Sequence, residues 1–123
     1  MEIVGWILSG LLTALFVAAG ASKLATPYDK LTANPRMGWA NDFRAGQVKA
    51  IGALEVLGAL GLVLPWLLNV AKVLTPLAAV GLAVVMVGAI ATHARRGEKE
   101  ALPMTAVLFV LAVAVAVIRF SQL

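Results

Sequence analysis

No cysteine occurs among the 123 residues. That absence excludes a dithiol relay, a disulfide staple and a cysteine-ligated metal within the chain. Histidine is almost as scarce: His93 stands alone, so a single chain cannot build a bis-histidine haem site. Charge is the next shortage. Asp, Glu, Lys and Arg make up 13% of the chain against 62% hydrophobic residues, with a mean hydropathy of +0.97. Soluble domains run to about one quarter charged and one half apolar. Too few polar side chains are present to coat a soluble globule of this length, so lipid is the expected solvent for most of the surface. A formal charge of +4 and a pI near 10.0 invite a nucleic-acid reading. The basic residues, however, flank apolar runs instead of clustering on a polar face, which is the pattern of membrane topogenesis. Nucleic-acid binding is not expected.

The apolar runs number four, at about 3–23, 48–65, 72–93 and 101–119. Each is long enough to cross the hydrocarbon core as a helix. The sequence therefore predicts an all-α, integral membrane four-helix bundle of up-down-up-down topology, a single transmembrane domain over 1–123. Glu2 starts the chain acidic and no clean A-x-A site follows, which argues against a cleavable signal peptide. Gly5, Ser9, Thr13, Phe16, Gly20 and Lys23 recur at steps of three and four and share one face of the first span. In the second span Gly52, Glu55, Ala59 and Leu62 share a face, while Gly58 and Gly61 thin the opposite one. Small residues on two sides predict a central helix packed by neighbours on both. Pro65-Trp66 is read as the end of that span, and Asn69 as part of a very short turn into the third.

Residues 24–47 form an interfacial loop broken by Pro27 and Asn34-Pro35. Trp39 and Phe43 lie four apart in it, among Arg36, Asp42 and Arg44. A plain interfacial anchor is the favoured reading, with a lid over the bundle as the other. The second polar loop is 93–100, and Thr105, Phe109, Ala112, Ala116 and Arg119 share a face of the fourth span. Lys23, Lys30, Arg36, Arg44, Lys49, Arg95, Arg96 and Lys99 put eight basic residues on one side of the membrane, against Lys72 and Arg119 on the other. The positive-inside rule then places both long loops in the cytoplasm and both termini outside a bacterial cytoplasmic membrane. Trp6 and Trp66 mark the outer interface together.

The chemistry concentrates at Glu55, a carboxylate inside an otherwise apolar span. A charge in hydrocarbon costs several kcal/mol unless paired, protonated or wetted. Lys23 closes the first span on the same side, and its stem can reach inward to Glu55. His93 closes the third span nearby, as a further hydrogen-bond partner or proton relay. Three readings compete. In the first, Lys23, Glu55 and His93 form a structural lock on helix order. The second is a site for a lipophilic molecule with a polar head, such as a quinone. The third is a proton-coupled exporter that uses Glu55. Small multidrug exporters have the same length and span count, but they carry the essential carboxylate in the first helix. The site candidates are Lys23, Glu55, His93, Gly20 and Gly52, with no catalytic residue and no metal ligand set among them.

The runs FVAAGASKL (16–24), GALEVLGALGLVLP (52–65) and LTPLAAVGLAVVMVGA (74–89), followed by HARRG (93–97), resemble the DoxX-like family. The most specific part is G-x-x-K-L followed by G-x-x-E-x-x-G-A-x-G-L, and the resemblance covers essentially the whole chain in order. It implies a small four-helix membrane protein. Relatives are described as membrane subunits linked to quinone-dependent oxidation of sulfur compounds or to oxidative-stress assemblies, and more distant ones as assembly factors. The resemblance also implies Gly20, Lys23 and Glu55 as signature positions, and His93 more weakly. With no cysteine and one histidine, any redox centre is expected on a partner protein or a diffusible quinone. An accessory subunit without catalytic activity of its own is the leading expectation. The alternative is the proton-coupled transporter, as a homo-oligomer because four helices alone enclose little space.

Overall fold

Each apolar run forms one long helix. The structure, a computed structural model, describes residues 2–123. The side chain of Arg36 lies outside the described part, so its share in the charge asymmetry rests on the sequence. In chain order the elements are α1 (Glu2–Ala25), α2 (Tyr28–Ala33), a 3-10 segment (Pro35–Asp42), α3 (Ala45–Leu68), α4 (Leu74–Arg95), a short 3-10 turn (Lys99–Ala101) and α5 (Leu102–Ser121). The helices α1, α3 and α4, and α5 with the turn before it, are long and apolar enough to span a bilayer. No strand occurs among the described residues. The spanning helices pack in a ring in which α3 lies between α1 and α4, and α5 between α4 and α1. Both ends of the chain and the α3–α4 turn therefore share the terminal end of the bundle, and the two longer connections share the loop end.

The inward faces meet in one core built around Leu12, Phe16, Leu62, Leu82, Met86 and Val115. Ile7, Leu57, Val84 and Val110 stand among the exposed apolar side chains on the outer faces, which suits helices whose surroundings are hydrocarbon. Glycines set the spacing of α3 from both neighbours. A Cβ at Gly58 would come within 2.8 Å of Leu82, and one at Gly61 within 2.8 Å of Ala78, both on α4. On the opposite side, a Cβ at Gly20 would sit 2.6 Å from the Gly52 carbonyl oxygen. The backbones of α1 and α3 touch there.

The second span runs on past Pro65 to Leu68 instead of closing there. Proline at 65 cannot donate to the Gly61 carbonyl one turn back. Thr75 Oγ1 on α4 donates to that oxygen at 3.0 Å, so the freed acceptor is satisfied across the helix pair and the helix survives. Asn69 then ends α3 in the left-handed region, at φ 55°. Ala71 repeats that conformation at φ 49°, and α4 begins after a turn of five residues, 69–73.

The first connection is folded. Leu31, Ala40 and Val48 make a small core of their own, covered by Tyr28, Met37, Trp39 and Phe43. The Tyr28 hydroxyl lies 2.6 Å from the Phe43 carbonyl and 3.2 Å from that of Ala40, and donates to them. Trp39 stands edge-on to Phe43 at 5.9 Å and to His93 at 6.4 Å. The indole favoured as an interfacial anchor thus turns over the loop end of the bundle, as a lid does. Lys49 reaches back from α3 and donates to the carbonyls of Lys23, Leu24 and Thr26 at 2.8, 2.9 and 2.7 Å. These carbonyls end α1, and a cation is the favoured group there.

Candidate functional site at the loop end

Gly20 and Gly52 bring Lys23 to Glu55. The two helices are antiparallel, and each charged residue lies three positions beyond its glycine, about 4.5 Å along the axis. Side chains in a helix lean toward its N-terminus. Lys23 and Glu55 therefore both lean back toward the crossing, from opposite sides. They meet there: Lys23 Nζ is 2.7 Å from Glu55 Oε1, with the side chains 11% and 4% exposed. The approach has the distance of an ion pair without the alignment of a hydrogen bond. Glu55 Oε1 has no hydrogen-bond partner among the described residues. Trp39 closes the site from above, with its ring centroid 5.6 Å from Lys23 Nζ.

His93 is placed differently from Lys23 and Glu55. Its Nδ1 lies 2.8 Å from Glu98 Oε1. A carboxylate only accepts, so Nδ1 carries the proton. His93 connects to Lys23 through Trp39, whose ring both residues touch, and makes no direct bond to the ion pair among the described residues. Glu98 and Arg96 extend the chain of contacts. Arg96 Nε donates to Glu98 at 3.2 Å, and Nη1 donates to Asp42 of the first connection at 2.8 Å. The two loops are thereby clasped together. Burial raises the pKa of Glu98, but the hydrogen bonds from His93 and Arg96 and the charge of Arg96 outweigh it and hold the carboxyl below its ordinary value. Beside this clasp lies a cleft of about 510 Å³, lined by Pro35, His93, Glu98, Glu100 and Ala101.

Among the described residues no group of three or more His, Cys, Asp or Glu is placed to hold a metal ion. What the loop end offers is a buried acceptor (Glu55 Oε1) beside a nearly covered donor (Lys23), with an aromatic ring over the lysine. Such a set can bind a polar head that both donates and accepts.

A second buried charge, Arg119, is read from the sequence as a topology marker and as one of the residues sharing a face of the fourth span, with no site assigned to it. It is fully buried at the terminal end, between Trp6 and Trp66. The signal was present in the face it shares with Ala112 and Ala116 and in the two tryptophans expected at that end. A basic residue four positions from the end of a chain reads as solvated until neighbouring helices are seen to cover it.

No curated protein and no solved structure matches the chain. The model of the DoxX-like family matches residues 7–115, a stretch that holds Gly20, Lys23, Gly52, Glu55 and His93. Four bilayer-length helices and a match over most of its length together make this an integral membrane protein in contact with lipid, and the chain belongs to the DoxX-like family.

Proposed function

We propose that the protein is an accessory subunit of a membrane redox or stress-response assembly. On this reading it has no catalytic activity of its own and holds a quinone-like or lipid head group at the Lys23–Glu55 pair. One observation carries the reading. Glu55 Oε1 is buried, lies 2.7 Å from an ammonium and still lacks an aligned donor. A head bearing hydroxyl and carbonyl groups suits both members of the pair, with a hydroxyl donating to Glu55 and a carbonyl accepting from Lys23. The Trp39 ring supplies a flat apolar cover over Lys23. A quinone bound there would supply electron-carrying chemistry that this chain's own side chains lack. The chain's part would be to bind and orient it and to shield it from water. The loop end faces the cytoplasm and both termini lie outside, by the positive-inside rule, in a bacterial cytoplasmic membrane.

Fluorescence of Trp39, taken as the difference between wild type and Trp39→Phe, tests the binding. A short-chain quinone titrated into detergent-solubilised protein should quench it saturably, and Glu55→Gln should remove the saturation. Linear quenching that is the same in Glu55→Gln would end the reading. Cysteines placed at Arg44 and Arg96 should resist impermeant labels applied to intact cells; labelling from outside reverses the topology.

The competing transporter reading rests on the same intramembrane carboxylate. A group that must load and release protons in turn gains little from an ammonium fixed beside it. Loss of proton-linked flux in vesicles carrying folded Glu55→Gln would favour transport all the same, and the working unit would then be a homo-oligomer.

A further inference from the structure

We infer that the terminal end of the bundle is a binding site for a phosphate group, with Arg119 as the residue that recognises it. The guanidinium is fully buried, yet among the described residues only one of its three nitrogens is hydrogen-bonded. Nη1 donates to Gln122 Oε1 at 2.8 Å and to Glu2 Oε1 at 3.3 Å. Nε and Nη2 have no hydrogen-bond partner among the described residues. Those two nitrogens form one edge of the guanidinium, and their hydrogens point the same way. This is the side-on fork that takes two oxygens of a phosphate or carboxylate at once. Its central carbon lies over two indoles, 5.0 Å from the Trp6 ring centroid and 4.4 Å from that of Trp66. Packed against two indoles and tethered at Nη1, the arginine keeps its buried, unpaired edge fixed in direction.

Charge points the same way. Lys72 Nζ lies 4.5 Å from the Trp66 ring centroid and makes no ion pair among the described residues. Glu2, the carboxylate of this end, accepts from Arg119 and from Trp66 Nε1, both at 3.3 Å. Two cations thus face one carboxylate, leaving a surplus of one positive charge at the rim of an apolar bundle. Tryptophans at a rim of this kind sit at the depth of the lipid head groups, where phosphates are concentrated. The two groups on Nη1 are lightly held. Glu2 has a side chain 56% exposed, and Gln122 follows the last residue of α5, so both can swing aside without unpacking a helix. Glu2 is the internal anion at Nη1, and a phosphate on the other edge competes with it for the same positive charge.

The phosphate can belong to a membrane lipid or be free in solution, and one experiment separates the two. The protein is studied in dodecyl maltoside, which carries no phosphate, on a Trp39→Phe background so that Trp6 and Trp66 report. Dihexanoyl phosphatidylglycerol and inorganic phosphate are titrated separately, with dihexanoylglycerol as the phosphate-free control. Saturable change with the phospholipid alone assigns the site to lipid, and saturation with inorganic phosphate as well assigns it to a free oxyanion. Either result supports the site. Arg119→Lys keeps the charge and loses the fork, and should weaken binding about tenfold, the scale of one hydrogen-bond-sized change in affinity. Glu2→Gln removes the competing carboxylate and should tighten binding by about the same factor. It also keeps the test decisive should Arg119→Lys not fold. No saturation with either phosphate, equal response to dihexanoylglycerol, or Glu2→Gln binding no more tightly than its parent would overturn the site.

Discussion

At the scale of single residues, the interior depends on the pairing of charges that lipid does not solvate. Lys23 and Glu55 are both nearly covered, so truncating either leaves the other charged and unpaired. Loss of one member of such a pair costs about 3–5 kcal/mol. Glu55→Ala in detergent-solubilised protein should show a loss of that order. The double variant with Lys23→Ala should be less damaged than the sum of the singles by about 0.5–3 kcal/mol. Strictly additive unfolding free energies would show that the contact carries no energy. The pair was legible in the sequence because a carboxylate in the second span and a lysine closing the first had few other partners. The sequence leaves the Trp39 segment between an anchor and a lid and does not show His93 turning to Glu98, since each depends on how the first connection folds back on the bundle.

At the scale of helices, the contacts between α1, α3 and α4 depend on missing atoms. Gly20→Ala forces a Cβ against the Gly52 carbonyl, and backbone has nowhere to yield. A loss of about 1–3 kcal/mol is expected for overpacking, accompanied by loss of the Lys23–Glu55 coupling as the helices part. Gly10→Ala meets nothing within 4 Å and should be neutral or gain up to about 1 kcal/mol from helix propensity. Thermal unfolding of the two variants side by side checks the contrast. Across the other interface, Thr75→Val should cost about 1–3 kcal/mol by orphaning the Gly61 carbonyl. Adding Pro65→Ala restores an N–H to that carbonyl and should recover most of the loss. If Pro65→Ala rescues nothing, the threonine is not replacing the proline's missing donor. Helix periodicity showed which faces were small, while Pro65 misled because the rule that proline ends a helix assumes its freed carbonyl finds no other donor.

At the scale of the whole molecule, the loop end is fastened by Glu98, which joins His93 and Arg96 and, through Arg96, Asp42 of the first connection. The folded carboxyl of Glu98 has a lowered pKa. Its contribution is therefore fully present above the unfolded value of about 4.3 and is lost as pH falls through the lower folded value. Spin labels at Thr32 and Lys99 should hold one distance from neutral pH down to about 4.3, and the distribution should broaden below it. Glu98→Gln should broaden it at every pH; a distance unchanged by acid and by the variant would remove the clasp. Asp42 is the other carboxylate of the clasp, and Glu98→Gln leaves it in place.

The sequence alone determined that the chain crosses the membrane four times, which residues face inward, and that Glu55 requires a cation. These follow from hydropathy, from helical period and from the cost of charge in hydrocarbon, all of which act on local stretches. Tertiary structure decided the rest. It put Trp39 over Lys23, tied the Gly61 carbonyl to Thr75, and buried Arg119 between two indoles at the far end. The reason is physical: each of those arrangements joins groups from different helices, and their distance depends on how closely backbones approach at Gly20, Gly52, Gly58 and Gly61.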